Sequence, residues 1–453
     1  MSTNRISVCD MGAVPNAGEL QTTAFQAAID KAFLNGGGTV CVPAGEYHIG
    51  CIRLRSNVTL MLLRGARLVG SRDINDYAFP INDTVEPMPE AHRTDELYDP
   101  QRIGKCIGDF FIKSGSRWNR GLIYALEAEN ISIIAEPDVL IDGNNPYDEL
   151  GEEGYRGPHG ISLHYCSNVR LSGYEMCNTG NWAHNLSFCH NVTMTGVTVN
   201  GGHDGIHFNK CNNVEISSCR FYTGDDCVAG IANLNVTVHD CLMNSACSGL
   251  RFGGTNALVK NCIFYGPAEY GFRGGMTKEQ KQSGEVAQQP QKRNMLSMFT
   301  YFSDFSVEHT GENDNIVFVD CTARNTDRFM QYNLFGNERW QANAPLRSIT
   351  FKNVRVENIA LPLYVYGTKE IPVTLKLDKV RVSFREGVSP TALIHAGRFE
   401  KIVLDDVSVT NLQDAPLVKC FNGSGEIVAR ELNGISEDKI SENTSEAWYC
   451  KPI

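Results

Sequence analysis

The chain has 453 residues, 42% of them hydrophobic and 21% charged, which is apolar material for one large core or two ordinary domains. Its formal charge of −11 opposes unspecific nucleic-acid binding, because a phosphate backbone is repelled where no basic groove is legible. No run approaches the roughly 20 apolar residues of a membrane-spanning helix, and polar Met1 to Arg5 show no secretory pattern. The expectation is a cytoplasmic protein with neither nucleic acid nor membrane as partner.

In chain order, the first predicted element is an amphipathic helix over Thr22 to Asn35, with Phe25, Ile29, Ala32 and Phe33 on one face and Gly36-Gly37-Gly38 ending it. A helix there covers the open end of a solenoid, so about 1–40 reads as an N-terminal cap. Two polar stretches, about 73–120 and 276–298, break the later rhythm and read as long loops. Loops of that size can wall a groove on a rigid scaffold.

The middle of the chain repeats. Asn168-Val169, Asn191-Val192, Asn213-Val214 and Asn235-Val236 recur at intervals of 23, 22 and 22 residues, each opening a short alternating apolar run. Period-2 apolar positions, β-branched residues and Gly/Asn turns favour coils of short strands, and the leucine framework of a leucine-rich repeat is missing. The fold class read from this is all-β: a right-handed parallel β-helix solenoid with an N-terminal capping helix. The rhythm continues outward through Asn57-Val58, Asn130-Ile131, Asn315-Ile316 and Asn353-Val354, so one domain over 1–453 is expected.

Cysteines follow the same period: Cys166, Cys189 and Cys211 form one series, and Cys219, Cys241 and Cys262 another. No CxxC pair occurs, so a zinc ribbon lacks its signature, and buried thiol ladders in a reducing compartment are expected. No metal or other cofactor is implied.

Residues one repeat apart share a face of a solenoid, with coils about 4.8 Å apart. That places Trp182, Asp204, Asp226 and Ser248 in one column and Asn181, His203, Asp225 and Cys247 in the next. Three neighbouring carboxylates repel when ionised, so at least one should keep its proton to higher pH and serve as an acid. Turn aspartates capping their own backbone, or a cation-binding ladder, are the plainer readings. Trp182, His184, His203 and His207 on or beside these columns weigh against them, since sugar sites combine aromatic area with hydrogen-bonding groups. Arg251 and Arg273, 22 residues apart, should stack beyond the aspartates and offer a cationic partner to a substrate carboxylate.

At these residues the chain resembles glycoside hydrolase family 28, the polygalacturonase-like enzymes. The resemblance lies in Gly201-Gly202-His203-Asp204-Gly205-Ile206, Cys211-Asn212-Asn213-Val214 and Thr223-Gly224-Asp225-Asp226-Cys227-Val228. Asn181-Trp182-Ala183-His184 and the opening over 36–45 and 56–71 are similar to further family segments. The resemblance covers roughly 7–275 and implies Asp225 as general acid, with Asp204 and Asp226 positioning and deprotonating the attacking water. Three departures stand out: Gly202-His203 where the family has Asn-Thr, Cys247-Ser248-Gly249 where it has Gly-His-Gly, and Arg273-Gly274-Gly275 where it has Arg-Ile-Lys.

The expectation is therefore an inverting, metal-independent glycosidase, exo-acting on short pectin-like or other plant cell-wall oligosaccharides. Its substrate contacts would be Trp182, His184, His203, His207, Ser248, Arg251 and Arg273. The rivals are a β-helix lyase or epimerase acting on uronates, and a non-catalytic carbohydrate-binding solenoid.

Overall fold

An asparagine held at positive φ starts most coils of the repeat. Asn57, Asn130, Asn168, Asn191 and Asn213 have φ between 52° and 63°, the left-handed region that asparagine tolerates better than most residues. The β-branched residue that follows turns inward. The amides then join coil to coil: Asn130 Nδ2 donates to Asn57 Oδ1 at 2.9 Å, Asn168 to Asn130 at 2.9 Å, Asn191 to Asn168 at 3.1 Å and Asn213 to Asn191 at 3.1 Å. The Asn-Val repeat is thus a turn signal and an interstrand hydrogen bond at once.

The computed structural model describes residues 5–77, 119–287, 294–302, 313–333, 344–421, 425–432 and 436–445. The fold is a right-handed parallel β-helix with an N-terminal capping helix. The chain divides into two compact units, Met1–Asp225 with Tyr270–Pro290, and Asp226–Glu269 with Gln291–Ile453, where the sequence suggests one domain.

The first unit stacks three parallel ladders. One runs Gly38–Val42, Val58–Leu62, Ser132–Ala135, Ser167–Ser172, His190–Thr195 and Asn212–Ser217. A second runs Gly45–Ile49, Ala66–Gly70, Leu140–Asp142, Glu175–Cys177, Thr198–Gly201 and Arg220–Thr223. The third, Ile52–Arg53, Gly121–Leu126, His159–His164, His184–Ser187 and Ile206–Asn209, carries the functional side chains. Alternate residues such as Val58, Leu60, Leu62, Val192, Met194, Val214 and Ile216 are buried, each worth about 1.5–3 kcal/mol relative to exposure. The predicted helix is present as Thr22–Leu34, burying Phe25, Ala28, Ile29 and Ala32. Phe33 instead carries the Arg55 guanidinium 4.7 Å above its ring.

The cysteine ladder also forms. Cys166, Cys189 and Cys211 are buried free thiols, and the Cys189 N–H donates to Cys211 Sγ at 3.3 Å. Burial raises the Cys166 and Cys189 thiols well above their ordinary range.

The second unit has longer strands, Val228–His239, Ser248–Lys260, Ser348–Ile359, Val373–Phe384 and Phe399–Thr410. Asparagines again step along it, Asn256 to Asn235 at 3.3 Å and Asn315 to Asn256 at 3.1 Å. The stretch read as a loop over 276–298 is partly regular. Lys278–Ser283 is a helix with a Thr277/Gln280 capping box, and Met295–Tyr301 is a strand. Polarity alone hid the helix, whose residues are all exposed or half-buried. Of the loop expected over 73–120, only 73–77 and 119–120 are described, with a 3-10 turn at Ile74–Tyr77; the rest lies outside the described residues.

Candidate active site

Asp204 sits in the turn that feeds Ile206–Asn209, and the Ala183 N–H donates to its carbonyl at 2.9 Å. This hydrogen bond lays the segment of Trp182 against that of Asp204, as their 22-residue spacing requires. The Asp204 carboxylate, 4% exposed, accepts the His207 Nδ1–H at 2.8 Å. His207 in turn stacks on Trp182, ring centroids 3.7 Å apart and planes 11° from parallel. Asp204 is therefore fixed by a charge-assisted bond whose donor ring is itself clamped.

A second cluster gathers around Arg156, which the sequence reading passed over. Its Nη1 donates to Asn181 Oδ1 at 3.0 Å and to His203 Nδ1 at 3.2 Å. Its Nε lies 3.1 Å from Glu153 and 3.5 Å from Glu152, and its Nη2 lies 3.8 Å from Asp225. A guanidinium only donates, so His203 accepts through Nδ1. Tyr155 stacks on His203 at 5.9 Å, and half-exposed Phe272 meets the same ring edge-on at 6.5 Å. Burial, then the charges of Arg156 and Arg273, hold His203 well below the usual histidine range. It is a neutral ring and not a cation. The one available signal for this cluster was Glu152-Glu153-Gly154-Tyr155-Arg156-Gly157-Pro158, a charged and aromatic run between turn residues just before the strand His159–His164.

Two expected substrate contacts are internal. His184 is fully buried; Tyr174 O–H donates to its Nε2 at 2.8 Å and its Nδ1–H donates to the Gly205 carbonyl at 2.8 Å. Both nitrogens are thus committed, and burial lowers its pKa to about 4. His184 braces the turn that carries Asp204. Arg273 is 1% exposed, and its guanidinium donates to the carbonyls of Thr179, Gly180, Asn145, Pro146 and Lys281 at 3.1–3.4 Å. It ties chain segments together, and burial lowers its pKa to about 10. The 22-residue step does not extend to Arg273: Arg251 pairs in register with Thr300, because the chain leaves the coil after Tyr265 and Arg273 falls in a 3-10 turn. Equal spacing held only while the repeat was unbroken.

In the second unit, Asp226 is 2% exposed. Its Oδ1 accepts the Ser248 N–H at 3.0 Å, and its Oδ2 lies 3.9 Å from Arg251 Nη1. The Arg251 guanidinium packs 4.2 Å above the Phe302 ring, and Ser248 Oγ lies 3.3 Å from Thr300 Oγ1. Ser248 and Arg251 therefore hold a carboxylate. The first unit thus holds a buried carboxylate braced by an imidazole and the second one braced by a guanidinium, each a fixed group of the kind used in acid/base chemistry.

Residues 119–255 match the family model for glycosyl hydrolases family 28. The matched segment contains Asp204, Asp225 and Asp226, and the family 28 resemblance of the motifs stands. A probable polygalacturonase of Vitis vinifera is 28% identical over 235 residues, 49% of this chain and 43% of the relative. A mannuronan C5-epimerase of Azotobacter vinelandii is 43% identical over 63 residues, 12% of this chain and 6% of the relative. The chain spans less than half the length of the curated relatives it matches. Among solved structures, an exopolygalacturonase of Thermotoga maritima superposes with a TM-score of 0.59 at 19% identity, covering 95% of this chain and 92% of that one. At that identity the likeness is one of fold alone, the parallel β-helix.

Proposed function

We propose that the chain is a glycoside hydrolase of the polygalacturonase type, inverting and metal-independent, exo-acting on short pectin-like or other plant cell-wall oligosaccharides. The observation that carries this reading is Arg156, one guanidinium that touches His203, the neighbour of Asp204, and also faces Asp225. It supports the two carboxylates acting as one site. In this reading Asp225 delivers its proton to the glycosidic oxygen as the bond to the anomeric carbon breaks. Asp204, oriented by His207, takes a proton from the water that attacks the opposite face, and no covalent intermediate forms. Asp226, held by Ser248 and Arg251, shares in orienting that water, a role drawn from the motif. Trp182 and Phe272 provide apolar area for sugar faces. The buried thiols of Cys166, Cys189 and Cys211 favour a reducing compartment, which fits a cytoplasmic enzyme acting on imported fragments.

The test is a reducing-end assay on oligogalacturonates, rhamnogalacturonan fragments and neutral cell-wall oligosaccharides, with product analysis. Release of monosaccharide from one chain end is expected. The epimerase match favours C5 chemistry on uronates as a second reading. An unsaturated product, or C5 inversion without chain cleavage, would replace the first reading with that one.

A further inference from the structure

The Arg156 guanidinium carries one positive charge and faces three carboxyl groups. Glu153 is 3.1 Å away, Glu152 3.5 Å and Asp225 3.8 Å, with side-chain exposures of 48%, 28% and 19% respectively. One cation cannot match three anions at this burial, so part of the pH range must find a proton on one of the three. Glu153 is the most hydrated of the three and stands closest, while Glu152 and Asp225 are more enclosed. The two more enclosed carboxyls, Glu152 and Asp225, are left to share what remains of the guanidinium charge.

Among the described residues, the rings and cations named around the guanidinium are already engaged. Tyr155 and Phe272 present rings 5.7 and 5.8 Å from the guanidinium carbon. His203 is held neutral by burial and by the charges of Arg156, Arg273, His159 and Lys281. Lys281 lies 4.2 Å above the Tyr155 ring and donates to the Gly274 carbonyl at 3.0 Å, and Arg273 is spent on carbonyls.

We infer that Glu152, acting through Arg156, is a positioning residue that governs when Asp225 holds its proton. The inference rests on the reading of Asp225 as the general acid. An arginine beside a general acid favours its ionised form and so works against proton delivery. Glu152 and Glu153 turn that arginine from a free cation into a shared one, which leaves Asp225 able to carry a proton while Arg156 still fixes its direction. Burial first, and then the charges of Glu153 and Asp225, push the Glu152 carboxyl up to about 7 against the opposing pull of Arg156. Glu152, Glu153 and Arg156 lie outside the motifs that carry the family resemblance, whereas Asp225, His203 and Asn181 belong to them.

Carbon NMR of protein labelled at glutamate Cδ tests the coupling without any substrate, the Glu152 signal being the one lost in Glu152→Gln. Its midpoint should fall by about half to one pH unit in Asp225→Asn, which removes a like charge, and rise in Arg156→Gln, which removes the cation. Arg156→Lys, which keeps the charge, should lie between wild type and Arg156→Gln, and it serves where Arg156→Gln does not fold. An unmoved midpoint in Asp225→Asn overturns the inference. On trigalacturonate, Glu152→Gln should shift the basic limb of the kcat/KM profile about one pH unit lower. A uniform loss at every pH would indicate a merely structural role and overturn it as well. If the NMR coupling holds but Asp225→Asn still turns over substrate, the acid assignment fails and the coupling stands.

Discussion

Trp182 and His207 lie face to face, centroids 3.7 Å apart and planes 11° from parallel, so one side of the indole is spent on orienting the ring that holds Asp204. Losing the indole should therefore damage the chemical step and not only sugar binding. Aromatic pairs of this kind are worth about 0.5–1.5 kcal/mol, so Trp182→Ala should lower kcat by roughly 2- to 10-fold beyond any rise in KM. Steady-state kinetics with kcat and KM resolved would show it, and a pure KM effect would mean that the stack does not orient Asp204.

Asp225→Asn should keep the fold and most substrate affinity while lowering kcat by roughly 10²- to 10⁴-fold, the usual share of general acid catalysis. A substrate with a good leaving group should be partly spared in this variant, because its departing oxygen needs less protonation. Asp204→Asn should show no sparing. Proton NMR of the first-formed sugar should reveal inverted configuration, and retention would reject these roles.

Arg273→Ala should destabilise the protein instead of changing its preference between acidic and neutral sugars. The guanidinium satisfies carbonyls at Asn145, Pro146, Thr179 and Gly180, and leaving them unpaired in a buried site should cost on the order of 3 kcal/mol. Urea unfolding measures the loss, and at low temperature the remaining activity should fall by the same factor on both sugar types.

Acid should weaken the fold through buried histidines. Burial lowers His184 to about 4 and His164 to about 3, from an ordinary 6.5. Their folded pKa values lie below the unfolded ones, so the stability they contribute is present above about pH 6.5 and is lost as pH falls through 4 and then 3. The melting temperature should drop across that window, and His184→Gln should make the drop shallower.

Asn191 combines a φ of 53° with amide bonds to both neighbouring coils. Asn191→Ala loses the bonds and keeps the strained backbone, for a loss of about 1–3 kcal/mol. Asn191→Gly loses the bonds but relieves the strain, so it should cost less. Equal losses by denaturant melts would show that the turn conformation is not what asparagine supplies.

The solenoid was legible because its coils are local and periodic: each Asn-Val pair reports a left-handed turn and an inward β-branched residue within a few positions. The same periodicity placed Trp182 beside Asp204 and put Cys166, Cys189 and Cys211 in line. Where the chain leaves the coil, spacing stops converting into geometry, which is why Arg273 was misplaced beside Arg251. Arg156 escaped because it comes from an irregular segment, and no period links position 156 to position 225. His184 was read as a sugar contact because a column records which residues share a face, while the depth of each is decided by what packs above it.

The asparagine ladder has a direction. Each amide donates to the coil nearer the N-terminus and accepts from the coil nearer the C-terminus, from Asn213 back to Asn57. Such a chain closes over any whole number of turns, because every rung offers the same acceptor to the next. A duplicated segment of one full repeat, such as 168–190, inserts a rung without leaving an amide unmatched. A one-residue insertion inside a strand would turn the inward side chains that follow it outward, whereas the turns accept extra residues, since the ladder runs unbroken over the 73 residues from Asn57 to Asn130 and the 38 from Asn130 to Asn168. The length of this scaffold is therefore free to change by duplication, in steps of a coil, and its turns are free to lengthen, while the inward pattern of its strands is closed to gradual drift.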